Sequence, residues 1–429
     1  MNRIAAAIRG FRDPVGLVVE AGRQGDLAEL TGGRRATFVV TSPDLAREVL
    51  EARAEVFRKG AGSKGLTRVL GGGLQVSEGE HHRRERAALD PLFAREPLLA
   101  YGETVNRALG RATAGWEHGR VLDVVPQMRA ITTVAVLRAM FADASDADVD
   151  RLAGAVTEMA SGLWHAVVPA SASLERTPLP GFARFRKARE ELDAYIADAI
   201  ARRRADSGPA ADLLGAMLAA RKPGGRMSDG DARDEVISLL LAGRGTITAA
   251  LAWTWFLLAR HPEVERRLHA ELDGAVEGRP PSAGDLERLA ATRAAWDEAL
   301  RLYPPAWVLR RKAARDSVLG RRTVPAGSTV LVNVFGIHHD PRFHRDPETF
   351  DPARFEDGAE PAPFTYLPFG AGPRGCIGFH FATMEAVLLI AGIASRWRLE
   401  LADPGWRPEF ARSITLRPKR PLRMRLVRR

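Results

Sequence analysis

The longest apolar pattern in the chain runs from Ser228 to the residue before Pro262 with no proline inside it. Val236, Leu240, Ile247, Leu251, Trp253, Phe256 and Leu257 are spread around the whole helical circumference, which predicts a helix enclosed on every side. Ser228 can cap its start, with Asp231 as the reciprocal partner. At 1.5 Å per residue, roughly 30 residues span about 45 Å. A helix that long and that apolar implies a large helical domain around it.

The other patterns are shorter. Ala36 to Thr41 has strand character, and Ser42-Pro43-Asp44 then opens a helix through Leu50. Gly60 to Gly73 reads as a loop with six glycines. From His81 to about Arg204 the periodicity is mostly helical, broken by a connection from Pro169 to Pro180 that is long enough for a mobile lid. A second join lies at Lys222-Pro223-Gly224-Gly225. Helices are predicted at Pro262 to Asp273, at Gly284 to Leu302 and from near Gly378 to Trp397, with a strand-like stretch at Thr323 to Phe335 and an irregular coil from His339 to Pro363. The tail alternates apolar and basic residues around Leu416, Leu422, Met424 and Leu426, which reads as a surface hairpin. Neither a repeat nor a dividing linker interrupts the chain. The expected fold is mainly α with a minor β lobe: one domain over 1–429, its lobe drawn from about 27–41, 306–335 and 400–429.

Composition narrows the class. Hydrophobic residues at 45% and charged residues at 27% are ordinary for a folded globular chain and exclude a disordered or collagen-like one. The single cysteine, Cys376, cannot form an internal disulfide. No uninterrupted apolar stretch is long enough for a membrane span, and Arg3 and Arg9 interrupt the first residues, so neither a membrane span nor a signal peptide is expected and the location expected is cytoplasmic. The net charge is +10, and seven basic residues lie between Arg417 and Arg429. A nucleic-acid partner is one reading of such a tail. It lacks zinc spacing, a heptad zipper and an aromatic-basic motif, so a basic face docking an acidic protein is the better one.

Cys376 sits in Phe369-Gly370-Ala371-Gly372-Pro373-Arg374-Gly375-Cys376-Ile377-Gly378. Glycines let backbone N–H groups approach one atom closely, and the following helix puts its positive end near the sulfur. Both favour a thiolate and lower its pKa. A nucleophilic cysteine would want a histidine base beside it. This loop offers N–H donors and an arginine for a carboxylate instead, which suits a thiolate ligand to heme iron.

The segment matches the F-x-x-G-x-R-x-C-x-G heme loop at every specified position and so resembles the cytochrome P-450 superfamily of heme-thiolate monooxygenases. The resemblance implies that fold, with the long helix over heme b and Cys376 as the iron ligand beside Phe369. Glu298-Ala299-Leu300-Arg301 and Pro352-Ala353-Arg354-Phe355 match the family's E-x-x-R and P-x-R-F segments. Glu298, Arg301 and Arg354 are thereby expected in a buried network behind the heme. His82 and Arg86 fit the family's propionate-binding pair, one helical turn apart, and Arg311 and Arg374 fit as further propionate ligands. His81 and Arg310 are the register rivals, and an exposed basic face is the alternative for the first pair.

One segment departs from the pattern. Ala242-Gly243-Arg244-Gly245-Thr246 stands where the family has A/G-G-x-acid-T, in which small residues leave a groove for oxygen, the Thr hydroxyl assists its activation and the acid feeds protons inward. Thr246 is present, but Gly245 replaces the acid. The resemblance then leaves two chemistries open: hydroxylation with solvent- or substrate-assisted proton delivery, or an atypical oxidation such as ring formation, coupling, desaturation, rearrangement or a peroxide-driven reaction. A non-catalytic heme-binding protein is the reading from another class. Arg244 either pairs with an acidic group away from iron, the favoured reading, or binds an anionic substrate. The resemblance places a lipophilic small-molecule pocket at Leu66, Leu70, Leu74, Trp164, Leu241, Ala242, Val308 and Leu309. It implies a monomer that takes electrons from a ferredoxin and its reductase and serves bacterial specialised metabolism. Only six of the basic residues are Lys, in keeping with a GC-rich bacterial genome.

Overall fold

The computed structural model describes residues 13–429 except 34, 61–63, 168–178, 207, 209, 211, 223–224, 357, 359, 412 and 414, with the side chains of all these except 64, 65, 164–167 and 222. Eight helices organise the site: α1 (Gly79–Leu89), α2 (Gly102–Thr113), α3 (Val124–Met140), α4 (Asp146–Val167), α5 (Pro180–Ala205), α6 (Asp229–Arg260), α7 (Ala290–Leu302) and α8 (Phe379–Ala394).

α6 is the long helix read from the sequence. The Ser228 hydroxyl accepts the Asp231 N–H at 3.1 Å, and the helix stops one residue short of Pro262. It packs on α3, α4, α5, α7 and α8. Trp253 is fully buried and stacks on Tyr303 with ring centroids 4.4 Å apart. Its length and mean hydropathy of 1.5 would suit a membrane span, but 67% of that stretch is buried inside the protein, so α6 is a core helix.

A five-stranded sheet is built from β1 (Leu27–Thr31), β2 (Thr37–Val40), β3 (Phe57–Arg58), β5 (Leu309–Ala313) and β6 (Thr329–Val332), in the order β1-β2-β6-β5-β3. β6 runs parallel to β2 and antiparallel to β5. A second sheet has the order β7-β8-β4, from β7 (Trp397–Leu401), β8 (Arg423–Arg428) and β4 (Val121–Asp123).

The tail therefore differs from its expectation in two ways. It pairs with Trp397–Leu401 and Val121–Asp123, apart from the five-stranded sheet, and Leu422, Met424 and Leu426 are completely buried. Period-two alternation marks a strand and its inward face but says nothing about which strand lies beside it. The stretch from 60 to 73, expected as a loop, contains a helix at Lys64–Leu70 that seats Leu70 in the core. The strand-like stretch 323–335 divides into the end of a hairpin at Arg322–Val324, β6, and a short helix Val334–His338 capped by Asn333.

Candidate active site

The cysteine loop is closed by its own backbone. Cys376 N–H donates to the Phe369 carbonyl at 2.8 Å, and Gly375 N–H to the Gly372 carbonyl at 2.9 Å. Gly370 and Gly372 have φ of +70° and +67°, which only glycine adopts without strain. At Gly372 a Cβ would also run into the Leu50 carbonyl oxygen, so the loop packs tightly on the N-terminal lobe there. Phe369 meets Phe379, the first residue of α8, edge to face at 4.9 Å.

Cys376 is accessible to solvent, yet burial pushes its thiol pKa up, outweighing the Gly378 N–H and the Arg86 charge that lower it. The sequence predicted a lowered value. The protein mass around the sulfur decides the direction here, and a bound metal ion would be needed to hold the thiolate. A thiol that is both accessible and enclosed by protein borders an internal space.

α6 borders such a space as well. Most of the helix is buried, but Ala242, Gly243, Gly245 and Thr246 in its middle are exposed. A Cβ at Gly245 would find nothing within 4 Å. Thr246 donates its hydroxyl to the Ala242 carbonyl at 3.1 Å. Leu241, beside this window, and Ile377, beside the cysteine, both pack against one hydrophobic cluster.

Five basic side chains gather beside the loop. His82 and Arg311 are 5% exposed, and Arg374 donates to the Ser77 carbonyl at 2.6 Å and to Glu78 at 2.7 Å. Arg86 donates to the Gly375 carbonyl at 2.6 Å and pairs with Asp90. Lys59 is the fifth, and sequence reading missed it. It follows the two-residue strand β3, which carries no motif. Lys59 is exposed to solvent, yet the protein packed around it, then Arg374 and Arg311, pull it down to about 8 against the pull of Glu78. Burial and Arg374 pull Arg311 to about 10, and burial, Arg374 and Arg86 pull His82 to about 4. Basic groups that depress one another this way, His82 to the point of neutrality, with Glu78 as the acid among them, form a site that favours anions. Of the register rivals, His81 is exposed, with Nε2 3.1 Å from the Gly72 carbonyl, and Arg310 is exposed too.

Behind the loop, Glu298 and Arg301 of α7 are fully buried. Arg354 Nε lies 3.3 Å from Glu298, and Asp351 N–H donates to the same carboxylate at 3.0 Å. The three residues expected to form a network are brought together.

The cytochrome P-450 family profile matches residues 18–424. The chain belongs to the cytochrome P-450 family. It is 36% identical over 394 residues to the cyclooctat-9-en-7-ol 5-monooxygenase of Streptomyces melanosporofaciens, covering 91% of this chain and 86% of that protein. It is 36% identical over 418 residues to the cyclooctatin synthase of the same organism, covering 95% and 91%. The pentalenene oxygenase of Streptomyces avermitilis is 32% identical over 425 residues, covering 98% and 94%. Among solved structures, the heme domain of cytochrome P-450DA superposes with a TM-score of 0.85 at 25% identity, covering 97% of this chain and 93% of that one.

This cytochrome P-450 is thus a heme-dependent monooxygenase-type oxidoreductase with the family fold. Its expected pocket residues are only partly assembled. Leu66, Leu70, Leu74 and Leu241 share one cluster, whereas Val308 packs with the N-terminal helix Pro14–Gly22 and Leu309 opens β5 of the five-stranded sheet, near Gly370. The Trp164 side chain, and the 168–178 part of the expected lid, lie outside the described residues. Arg244, favoured as an acid's partner, instead donates to the Thr157 hydroxyl at 2.8 Å. No carboxylate lies within ion-pairing distance of it among the described residues, and burial, then Arg129, lowers it to about 10.

Proposed function

We propose that Cys376 is the axial thiolate of heme b, with the propionates held by His82, Arg86, Arg311 and Arg374 and assisted by Lys59. The residues fit that group. An accessible thiol inside the protein and an exposed run of small residues in the middle of the mostly buried α6 adjoin one hydrophobic cluster through Ile377 and Leu241, and four cationic side chains with His82 gather for two carboxylates. That pairing of thiol and window carries the reading. Heme supplies oxygen activation when bound; the chain supplies the surroundings. Ala242, Gly243 and Gly245 keep α6 bare for oxygen, and Thr246 holds a hydroxyl at the window's edge. Glu298, Arg301 and Arg354 fix the coil behind the loop.

The substrate is a lipophilic cyclic hydrocarbon or its alcohol in bacterial specialised metabolism, by analogy with relatives that act on cyclooctat-9-en-7-ol and pentalenene. Leu66, Leu70, Leu74 and Leu241 supply a matching apolar wall. Electrons come from a ferredoxin and its reductase, and the protein works as a cytoplasmic monomer.

A second reading has one observation behind it. The position of the family acid is Gly245, with open space where a side chain would stand, so an atypical oxidation competes with hydroxylation. The test is a thiolate-type absorption maximum of the reduced protein under carbon monoxide, its loss in Cys376→Ser, and product analysis with cyclic hydrocarbons driven by NADH with redox partners or by peroxide. An unchanged spectrum in Cys376→Ser overturns the assignment. Turnover with peroxide alone favours the second reading.

A further inference from the structure

The window on α6 has no acid of its own, but the helical face that carries it continues toward the N-terminus. Thr246, Ala242, Ser238 and Glu235 recur at spacings of four, four and three residues and so share that face. Ser238 is 2% exposed and Glu235 1%, and among the described residues the Ser238 hydroxyl and Glu235 Oε2 have no hydrogen-bond partner. Glu235 Oε1 accepts the Leu74 N–H at 2.9 Å. Two unpaired buried polar atoms cost about 1–3 kcal/mol each, so a fold keeping both on one face calls for a reason. Glu85 of α1, 2% exposed, is near enough for its charge to act on Glu235, and 3.8 Å from Glu85 lies His81, whose side chain is 48% exposed. Surface histidine, two buried carboxyls and a buried hydroxyl thus lead inward to the window.

We propose that Glu235 and Ser238, supplied from the surface through His81 and Glu85, deliver protons to the groove at Ala242 and Thr246 in place of the acid absent at Gly245. This rests on the heme-thiolate reading above. Only protons move. Through a water bridging their two unpaired atoms, Glu235 gives its proton toward Ser238 as the Ser238 hydroxyl releases its own toward Thr246, about 12 Å along the helix at 1.5 Å per residue, through further water touching the exposed surfaces of Ala242 and Thr246. Glu85 then reprotonates Glu235 and is itself recharged from solvent at His81.

The electrostatics support the assignment. Burial is the main push on Glu235, opposed by the Leu74 N–H and reinforced by Glu85, Asp234 and Asp231, and its pKa rises to about 8. Arg233 pairs with Asp234 at 2.9 Å and with Asp193 at 2.6 Å, so the nearest cation on the same helix is already engaged. On α1, His82 and Arg86 flank Glu85. Glu235 therefore holds a proton near neutral pH and can release it, the condition for a donor.

The test uses heme-loaded Glu235→Gln and Ser238→Ala. Both should keep the wild-type carbon monoxide spectrum and substrate-binding constant, while product formed per NADH falls about tenfold, within what a lost proton donor removes, and the solvent isotope effect changes. Independently of turnover, infrared spectroscopy of the wild type should show a protonated-carboxyl band at neutral pH that shifts in D2O, titrates near 8 and is absent from Glu235→Gln. Full coupling in both variants, or a wild type without that band, overturns the proposal. Should Glu235→Gln not fold, the wild-type band and the coupling of Ser238→Ala decide. A wild type lacking the thiolate spectrum marks failure of the heme reading instead, so the two failures are distinguishable.

Discussion

Glu298 and Arg301 meet one turn apart on α7 through two hydrogen bonds, Nε to Oε2 at 2.7 Å and Nη2 to Oε1 at 2.8 Å, with neither side chain exposed. The pair also anchors backbone. Arg301 donates to the carbonyls of His338 and Pro347, both at 2.8 Å, and of Thr349 at 3.1 Å. The coil these contacts hold is bonded mostly by short local turns, and the Arg301 guanidinium takes up three of its backbone carbonyls. Replacing Glu298 leaves the Arg301 guanidinium as an uncompensated buried charge, which costs about 3–5 kcal/mol, and Arg301→Lys keeps a charge but loses the planar fork that reaches Glu298 and the three carbonyls. Glu298→Gln and Arg301→Lys should both lower the thermal midpoint sharply and reduce heme per polypeptide, even though neither side chain belongs to the cysteine loop. Wild-type heme content in either variant would contradict this.

Two glycines near the site should respond in opposite directions. Gly372 sits at φ +67° with its missing Cβ aimed at the Leu50 carbonyl, so Gly372→Ala combines backbone strain of roughly 1–2 kcal/mol with a clash. Gly245 is helical and faces open space, and Gly245→Ala should raise stability by up to about 1 kcal/mol through helix propensity alone. Paired thermal melts check both signs. A destabilised Gly245→Ala would mean that the groove is narrower than its open surface indicates.

Arg311 illustrates a function-stability conflict. It is buried beside Arg374, with Glu78 as the nearby acid, and among the described residues only the Arg310 carbonyl, at 3.0 Å, is a hydrogen-bond partner. Without an anion this is unfavourable, so Arg311→Leu should stabilise the heme-free chain. Charge-assisted hydrogen bonds contribute about 1.5–3 kcal/mol, and the same change should weaken heme retention by that order. Heme transfer to an acceptor protein, set beside the melting midpoint of the heme-free variant, separates the two effects.

The sequence made the site legible where chemistry demands fixed spacing. Cys376, Gly370 and Gly372, the Glu298–Arg301 pair and the uninterrupted run of α6 all follow from local rules of turn, helix and cap. Long-range pairing was not legible. The strand at Arg423–Arg428 has the right alternation, but its neighbours at Val121–Asp123 and Trp397–Leu401 are distant in sequence. Lys59 enters the cation cluster only because β3 pairs with β5 and carries it there. The direction of the Cys376 pKa shift was misjudged for the same reason: glycines and a helix start are visible in a sequence, whereas the surrounding mass that raises the value is not. Arg244 carries no sequence signal that its partner would be the Thr157 hydroxyl.

His338 ties stability to pH. Its Nδ1 lies 3.0 Å from the Arg301 carbonyl, and its Nε2 accepts the Leu367 N–H at 2.7 Å, two residues before Phe369. That arrangement requires the neutral ring, and complete burial holds its pKa well below the ordinary 6.5. The unfolded chain takes up a proton at about 6.5 that the folded chain refuses, so this contribution is fully present above that pH and is lost as pH falls toward the depressed folded value. Each such proton costs about 1.4 kcal/mol per pH unit. His339, pushed down to about 4 by burial, acts in the same direction, while Glu235, raised to about 8, acts oppositely by favouring the folded state as pH falls. Comparison with His338→Gln isolates the term, because its amide oxygen can still accept from Leu367 but does not titrate. Stability against urea should fall less steeply in the variant than in the wild type between about pH 6.5 and 5, by close to one proton's slope. Parallel slopes would show that protonating this ring does not break the Leu367 anchor.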